Sequence, residues 1–299
     1  MFEPRNHQAP AARLWSLLSP LGAYAPIGLL FLVGLPMLSL SRIALMLWQW
    51  DRVAATGIWP DMLLQGVRVD IIQLSLLGLP LLLLAPVLAM HRTWRFWRVL
   101  SRYWVVLSVA LLALLEMASP AFINEYDSRP NRLFVEYLKY PAEVFPMLWN
   151  GFRLHLVGGT LATTFVVWAM VRLTRAWLTV APSWSRLKLW LTWPLLALLA
   201  LVAIRSSFDH RPANPALFAL TNDAMVNTLI LNSTWSVAHA IYGMKHEARS
   251  SEIYGSMKER DILQQVQATR QLLQDTRPLI GDKDIPTLTD QKASIRRER

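Results

Sequence analysis

Long apolar runs separated by polar segments dominate the first 205 residues of the chain. Crossing the hydrocarbon core of a bilayer takes about 20 predominantly apolar residues in a helix. Five runs come close to or exceed that length, and we predict that they are transmembrane helices: residues 23–40, 63–90, 103–122, 154–171 and 189–204. The expected fold class is an all-α membrane protein with its two ends on opposite sides of the membrane.

The polar segments between these runs alternate sharply in charge. The N-terminal tail and the second and fourth loops contain one acidic residue, Glu3, among their basic residues, which are Arg5, Arg13, Arg92, Arg95, Arg98, Arg102, Arg172, Arg175, Arg186 and Lys188. The first and third loops mix acidic and basic side chains. Because basic segments stay in the cytoplasm, we predict a multi-pass protein of the bacterial inner membrane with a cytoplasmic N-terminus and a periplasmic C-terminus.

The composition agrees with a membrane location and narrows the chemistry. The chain is 54% hydrophobic and holds 14 tryptophans, which favour the boundary between lipid and water. Most of the net charge of +10 lies beside apolar runs, where basic side chains meet lipid headgroups, so we expect membrane lipids as partners and no nucleic acid. The absence of cysteine excludes disulfides, thiolate catalysis and cysteine metal sites.

Charged side chains form a polar layer near the predicted periplasmic ends of the helices. Its members are Arg42, Arg68, Asp70, Glu116, Arg153, His155 and Arg205. Charges within a membrane are costly and need a partner or a function. One interpretation is structural, with Arg68 paired to Glu116 or Asp70 to fix helix packing. The other is a basic pocket for the headgroup of an anionic phospholipid in the periplasmic leaflet.

The third loop offers a second candidate site. Arg129 and Arg132 could clamp a phosphate, since a guanidinium presents paired donors to phosphate oxygens. The alternative is a solvated loop held at the membrane interface by Tyr126, Tyr137 and Tyr140.

The composition changes after the last apolar run. Residues 1–205 form the predicted transmembrane domain, and residues 206–244 a periplasmic juxtamembrane loop with one amphipathic helix, lying on the membrane or against the spans. Residues 245–299 are predicted to form a water-exposed helix over 245–275, whose apolar stripe needs a protein partner, and then a linker. Because a linker is expected to lead to another domain, we expect either that this tail is disordered or that the natural polypeptide continues beyond residue 299. The sequence holds no recognisable catalytic constellation or metal-binding spacing.

Three segments resemble the membrane part of the lipoteichoic acid synthase and phosphoglycerol transferase family: GVRVD at 66–70, NEYDSRPNRLFVEYLKYPAEV at 124–144 and RSSFDHRPANPALFALTNDAMVNTLILNSTWS at 205–236. Members of that family look like five-helix anchors followed by an extracytoplasmic sulfatase-type domain. The resemblance implies transfer of phosphoglycerol from phosphatidylglycerol to a glycan or polymer, at a threonine beside manganese in a domain absent from this chain. No catalytic or metal-binding residue is therefore assigned here. The alternative is a non-enzymatic inner-membrane lipid-binding sensor or scaffold that acts through a partner protein.

Overall fold

The computed structural model describes residues 10–182, 184–207, 210, 212–248 and 257–272. Over these residues the chain is helical and has no β-strand. It divides into two compact units, Met1–Tyr242 and Gly243–Arg299.

The helices of the first unit follow one another through short connections. In chain order they are α1 (Pro10–Leu18), α2 (Ala25–Trp48), α3 (Trp50–Thr56), α4 (Trp59–Leu88), α5 (Trp94–Tyr126), α6 (Arg132–Tyr137), α7 (Pro141–Gly151), α8 (Arg153–Leu173), α9 (Arg186–Arg205), α10 (Ala224–Ile230) and α11 (Ser233–Ala248), which runs into the second unit. Short 3-10 helices lie at Ser19–Tyr24, Thr174–Thr179 and Pro215–Phe218. In the second unit, α12 covers Glu259–Leu272.

Five helical segments within the described residues are long and apolar enough to cross a membrane. They are Leu14–Trp48, Trp59–Leu88, Trp94–Tyr126, Arg153–Thr179 and Arg186–Arg205. Each coincides with one of the predicted apolar runs, so the prediction of an all-helical protein with five such helices is confirmed. Several segments are longer than their apolar runs, because the helices continue with polar and aromatic residues where the apolar pattern ends.

The order of packing across the bundle is α8, α5, α2, α4, α9. In α5, 56% of the most apolar stretch is buried, whereas in both α8 and α9 the share is 6%. The two flanking helices therefore turn most of their apolar surface outward, as expected for helices that face lipid.

The end of the bundle where α4 and α8 finish is held together by tryptophan side chains; we call it the tryptophan end. Indole N–H groups cross between helices and donate to Leu173 O (Trp15, 2.8 Å), Val180 O (Trp94, 2.7 Å), Ala23 O (Trp97, 3.2 Å) and Ser101 Oγ (Trp177, 3.0 Å). The indole rings of Trp15 and Trp177 stack with their centroids 5.0 Å apart. The first three of these bonds satisfy backbone carbonyl groups at or near helix ends.

Two predicted segments fall partly outside the described residues. Of the helix predicted over 245–275, α12 and the last turn of α11 are described, and residues 249–256 and 273–275 are not. The predicted linker after residue 275 also lies outside them.

Candidate functional site

The opposite end of the bundle, where α2, α5 and α9 finish, contains two buried carboxylates; we call it the carboxylate end. The chain reaches it a second time after α9, when α10 packs against α2 and α4. Four side chains of α10 are completely buried there: Met225, Val226, Leu229 and Ile230. This apolar face explains why a segment after the last span is drawn into the bundle rather than into water.

The turn between α10 and α11 enters the bundle with its polar side chains. This inserted turn (residues 231–234) is buried along its whole length, and Ser233 is 0% exposed. The Asn232 side chain caps α11 by accepting a hydrogen bond from the backbone N–H of Trp235 at 2.8 Å. At the other end of α10, Asp223 caps the helix by accepting from Val226 N at 3.2 Å. These two caps thus fix where α10 and α11 begin.

The first buried ion pair joins α2 to α4. The guanidinium of Arg42 donates two parallel hydrogen bonds to the Asp70 carboxylate, at 2.8 and 2.7 Å, and the two side chains are 1% and 0% exposed. Both partners also bind the segment after α9, because Arg42 Nε donates to Ile230 O at 3.2 Å and Asn232 Nδ2 donates to Asp70 Oδ1 at 3.1 Å. Bidentate geometry of this kind gives strong, directional hydrogen bonds.

Gly66 provides the space for this pair. A Cβ atom at Gly66 would lie 2.2 Å from Arg42 Nε and 2.4 Å from its Cζ. The guanidinium therefore packs directly on the backbone of α4, one turn before Asp70.

The second buried pair joins Arg129, in the connection after α5, to Glu116 within α5. Arg129 Nη1 lies 2.9 and 2.8 Å from the two carboxylate oxygens, and the side chains are 1% and 2% exposed. Glu116 also accepts from Ser41 Oγ at 2.5 Å and from the backbone N–H of Ser233 at 2.8 Å. The carboxylate thus lies at the N-terminus of α11, where the helix dipole favours a negative charge.

The two pairs form one carboxylate cluster: Arg42, Asp70, Glu116 and Arg129, bridged by the inserted turn. Every carboxylate oxygen accepts at least one hydrogen bond. The four side chains are almost completely buried. These four side chains are thus paired with one another inside the protein, which is the kind of contact that the structural interpretation of the polar layer requires.

The predicted pairing of Arg68 with Glu116 or Asp70 was wrong. Arg68 donates from Nε to Ser206 Oγ at 2.8 Å and from Nη2 to the Ser206 carbonyl, and it does not pair with Asp70 or Glu116. The reason is helical geometry, because residues two positions apart point to nearly opposite sides of a helix. Asp70 faces α2, while Arg68 faces the end of α9.

The expected phosphate clamp of the third loop does not form either. Arg129 is buried in the carboxylate cluster, whereas Arg132 is about half exposed and its Nε donates to Glu136 at 2.8 Å within α6. Asn131 separates the two by capping α6, with its side-chain oxygen accepting from Leu133 N at 3.0 Å. The hydroxyl groups of Tyr126 and Tyr137 are hydrogen-bonded to each other.

The remaining members of the predicted layer lie at the surface. Arg153 begins α8, donates to Trp149 O at 3.3 Å and lies 5.0 Å above the ring of that tryptophan. His155 is exposed and contacts the ring of Phe152. Arg205 ends α9 and donates to Ser207 O at 3.0 Å. The single layer of the sequence prediction is thus a buried cluster and a separate exposed set.

The sequence analysis missed a further set of ion pairs at the carboxylate end, the Arg52 bridge, in which Arg52 binds both Asp127 and Asp223. Arg52 in α3 lies 2.5 Å from Asp127 Oδ1 and 2.7 Å from Asp223 Oδ1. These contacts raise the pKa of Arg52, with the hydrogen bond to Asp127 as the largest cause, and Arg52 lowers the pKa of Asp223. For Asp223 and for Asn232 of the inserted turn, a signal was available in the sequence, because each has a helix-capping side chain directly before an apolar helix.

A second candidate site is an apolar groove of about 390 Å³ between α5, α6, α7 and α8. Its walls are built almost entirely from apolar side chains, and the polar residues among them include Glu125, Tyr126, Tyr137 and His155. The volume falls in the range of small-molecule sites, about 300–1,000 Å³.

Among the described residues, no group of three or more histidine or acidic side chains is placed to hold a metal ion. No family model matches the chain, and no solved structure matches it. The family resemblance therefore depends on the three sequence segments alone.

Proposed function

We propose that this chain is the membrane-anchoring part of a periplasm-facing enzyme of the phosphoglycerol transferase type. The anchor would hold a sulfatase-type domain over the outer leaflet, where that domain would transfer phosphoglycerol from phosphatidylglycerol to a glycan or polymer. This chain would contribute position and no catalytic residue.

One observation carries the proposal: the three segments that resemble the family meet at the carboxylate cluster. Gly66 and Asp70 come from the first segment, Arg129 from the second, and Asn232 and Ser233 from the third. These three segments are far apart in sequence. If they build one cluster together, a shared structural role explains why all three resemble the same family.

The cluster suits the work of an anchor. A chain that left the membrane directly from α9 would be free to swing at Ser206. Instead α10 and the inserted turn return to the bundle, and α11 starts from a fixed point between α2, α4 and α5. Buried charge pairs of this kind enforce a specific geometry, because leaving either partner unpaired is costly.

The charge distribution supports the proposed orientation. Basic residues without acidic neighbours cluster at the tryptophan end, in the loops between α4 and α5 and between α8 and α9 and in the helix ends that flank these loops. By the positive-inside rule that end faces the cytoplasm, and the carboxylate end then faces the periplasm.

Two experiments test the proposal. Alkaline phosphatase fused after residue 242 should be active in cells, whereas the same reporter inserted in the loop between α4 and α5 should be inactive. The reading frame beyond residue 299 should encode a domain with a threonine nucleophile and acidic metal ligands. A stop codon directly after Arg299, or both reporters on one side of the membrane, would contradict it.

The second candidate function is a non-enzymatic lipid-binding sensor or scaffold. The observation that favours it is the apolar groove beside α5 and α8, which does not depend on any downstream domain. Stable partner proteins recovered with the full-length protein, together with no transfer of phosphoglycerol to added acceptors, would favour this function over the first.

A further inference from the structure

We propose that the apolar groove binds one acyl chain of a glycerophospholipid from the leaflet at the carboxylate end. The inference depends on the membrane location within the proposed function and is independent of any downstream domain. Its occupant is a lipid tail, and the phosphate of that lipid lies beside Arg153.

The depth of the groove matches one leaflet. Its wall on α5 extends from Leu114 to Tyr126, which is about 18 Å at a rise of 1.5 Å per residue. Half of the hydrocarbon core of a bilayer is about 15 Å thick. Since both α5 and α8 are membrane-spanning candidates, the groove lies alongside the tails of that leaflet.

The groove is open because α7 stands away from the bundle. No residue of α7 is buried, although the helix carries Val144, Phe145 and Leu148 on the groove and Trp149 nearby. On the α8 wall, Gly159 presents no side chain, and a Cβ there would lie 3.4 Å from Met117 Cβ. Apolar walls that face each other across a gap lose dispersion contacts unless apolar material fills the space.

A lipid tail is the material that fits this place. Water in such a groove would find apolar walls and few polar partners, so it would be poorly bound. Acyl chains are the abundant apolar groups at this depth of a membrane, and a single chain has the narrow, extended shape that the groove offers.

The charged and aromatic polar residues of the groove lie towards one end, as a phospholipid requires. Glu125 and Tyr126 are at the last turn of α5, and His155 is in the first turn of α8. Arg153 begins the same helix and bonds to Trp149 of α7, so a guanidinium is adjacent to this mouth. The arrangement places an apolar tail along the helices and a phosphate at the end that carries the cation.

The test uses a phosphatidylglycerol with a photoactivatable diazirine in the middle of one acyl chain. The full chain is reconstituted in phosphatidylethanolamine vesicles that contain this probe, irradiated and mapped by peptide mass spectrometry. We expect cross-links to concentrate on groove residues of α5, α7 and α8, such as Ala118, Leu148 and Leu156.

Ala121→Trp should block the groove and reduce these cross-links about tenfold, which corresponds to about 1.4 kcal/mol of binding. The matched control is Val157→Trp, which adds the same side chain at a half-exposed position of α8 outside the groove and should leave them unchanged. If Ala121→Trp does not fold, Thr160→Trp fills the groove from the exposed side of α8 and should give the same loss.

Three results would overturn the inference. Cross-links spread evenly over outward-facing residues such as Leu154 and Leu161 would indicate ordinary surrounding lipid. Cross-links that persist in a folded groove-filling variant would exclude the groove as the site. A polypeptide found in the groove by photo-cross-linking in native membranes would make the occupant a protein. Because none of these readouts uses transfer activity or the reading frame, failure of the proposed function leaves them interpretable.

Discussion

The two ends of the bundle differ in the partners of their most deeply buried arginines. At the carboxylate end, Arg42 and Arg129 are buried and each binds an acid, so their charges are compensated within the protein. At the tryptophan end, arginines bind carbonyl groups instead, as when Arg98 Nη1 donates to Val180 O at 3.1 Å, and the neighbouring loops contain no acid. A fully buried arginine thus serves packing where an acid faces it, whereas arginines without an acid, such as Arg98 and Arg68, bind carbonyl groups.

The difference extends to what each end holds. The carboxylate end fastens a segment that follows the last span, through bonds from Arg42, Asp70 and Glu116 to the inserted turn. The tryptophan end fastens the spans and their connecting loops to each other. We therefore expect mutations at the carboxylate end to have the larger effect and to release the chain after α9.

Removing one acid should have the largest effect. Asp70→Ala leaves the Arg42 guanidinium buried without its partner, which costs about 3–5 kcal/mol in other proteins. The measurement is the free energy of unfolding in detergent micelles. Asp61→Ala, which removes an exposed carboxylate from the first turn of the same helix, should change it little. Equal losses in the two variants would mean that the buried pair has no special role.

A single methyl group at Gly66 should have the next largest effect. Gly66→Ala would place Cβ against Arg42, and we expect a loss of about 1–3 kcal/mol from overpacking. Gly158→Ala, in α8, meets no atom within 4 Å and should stabilise the helix by about 0.5–1 kcal/mol. Thermal unfolding of both variants checks the opposite signs. A stabilised Gly66→Ala protein would contradict the close contact.

The inserted turn should depend on its cap. Asn232→Ala removes the bonds to Trp235 N and Asp70, and we expect a loss of about 1–2 kcal/mol. Limited proteolysis should then cut faster between α9 and α11 than in the parent protein. Asn222→Ala, on the loop before α10, is the control. Unchanged cleavage in Asn232→Ala would mean that the turn is held by apolar contacts alone.

At the tryptophan end the expected effect is smaller. Trp94→Phe removes the hydrogen bond to Val180 O but keeps an aromatic ring, and one neutral hydrogen bond contributes about 1 kcal/mol. The free energy of unfolding should therefore fall less than it does in Asp70→Ala, and the rate of proteolysis after α9 should not change. A loss as large as that of Asp70→Ala would remove the contrast between the two ends.

The smallest effect concerns pH at the Arg52 bridge. Because Arg52 lowers the pKa of Asp223, ionised Asp223 stabilises the fold above its ordinary pKa of 3.8, and this contribution is lost as the pH falls below it. The stability of the parent protein should fall towards that of Asp223→Asn as the pH drops below about 4. If the difference in free energy of unfolding between the two proteins does not depend on pH, the Arg52 bridge does not contribute to stability.

The sequence predicted the spans well because a run of about 20 apolar residues is a local property. It did not predict the ion pairs, because pairing depends on how helices rotate against one another. Asp70 and Arg68 are close in sequence but face different helices, and the side chain of Arg129 extends from its loop into the bundle to bind Glu116.

The segment after α9 was predicted in outline only. An amphipathic helix lying on the membrane or against the spans was predicted within residues 206–244, and in the structure this range contains α10, which contacts α2 and α4. The buried polar turn was missed, because Asn, Ser and Thr in sequence indicate a surface turn unless their partners are known. Those partners lie 162 and 117 residues away along the chain.

The most direct test of the account is a designed disulfide in this cysteine-free chain. Ser119 Oγ and Ser233 Oγ lie 2.5 Å apart, so Ser119→Cys combined with Ser233→Cys should form an intramolecular disulfide in isolated membranes under mild oxidation. Ser108→Cys with Ser233→Cys, which uses a buried position three turns away on α5, should not. Peptide mapping that finds residues 119 and 233 linked would confirm the inserted turn. Reduced thiols at both positions in a folded protein would contradict it.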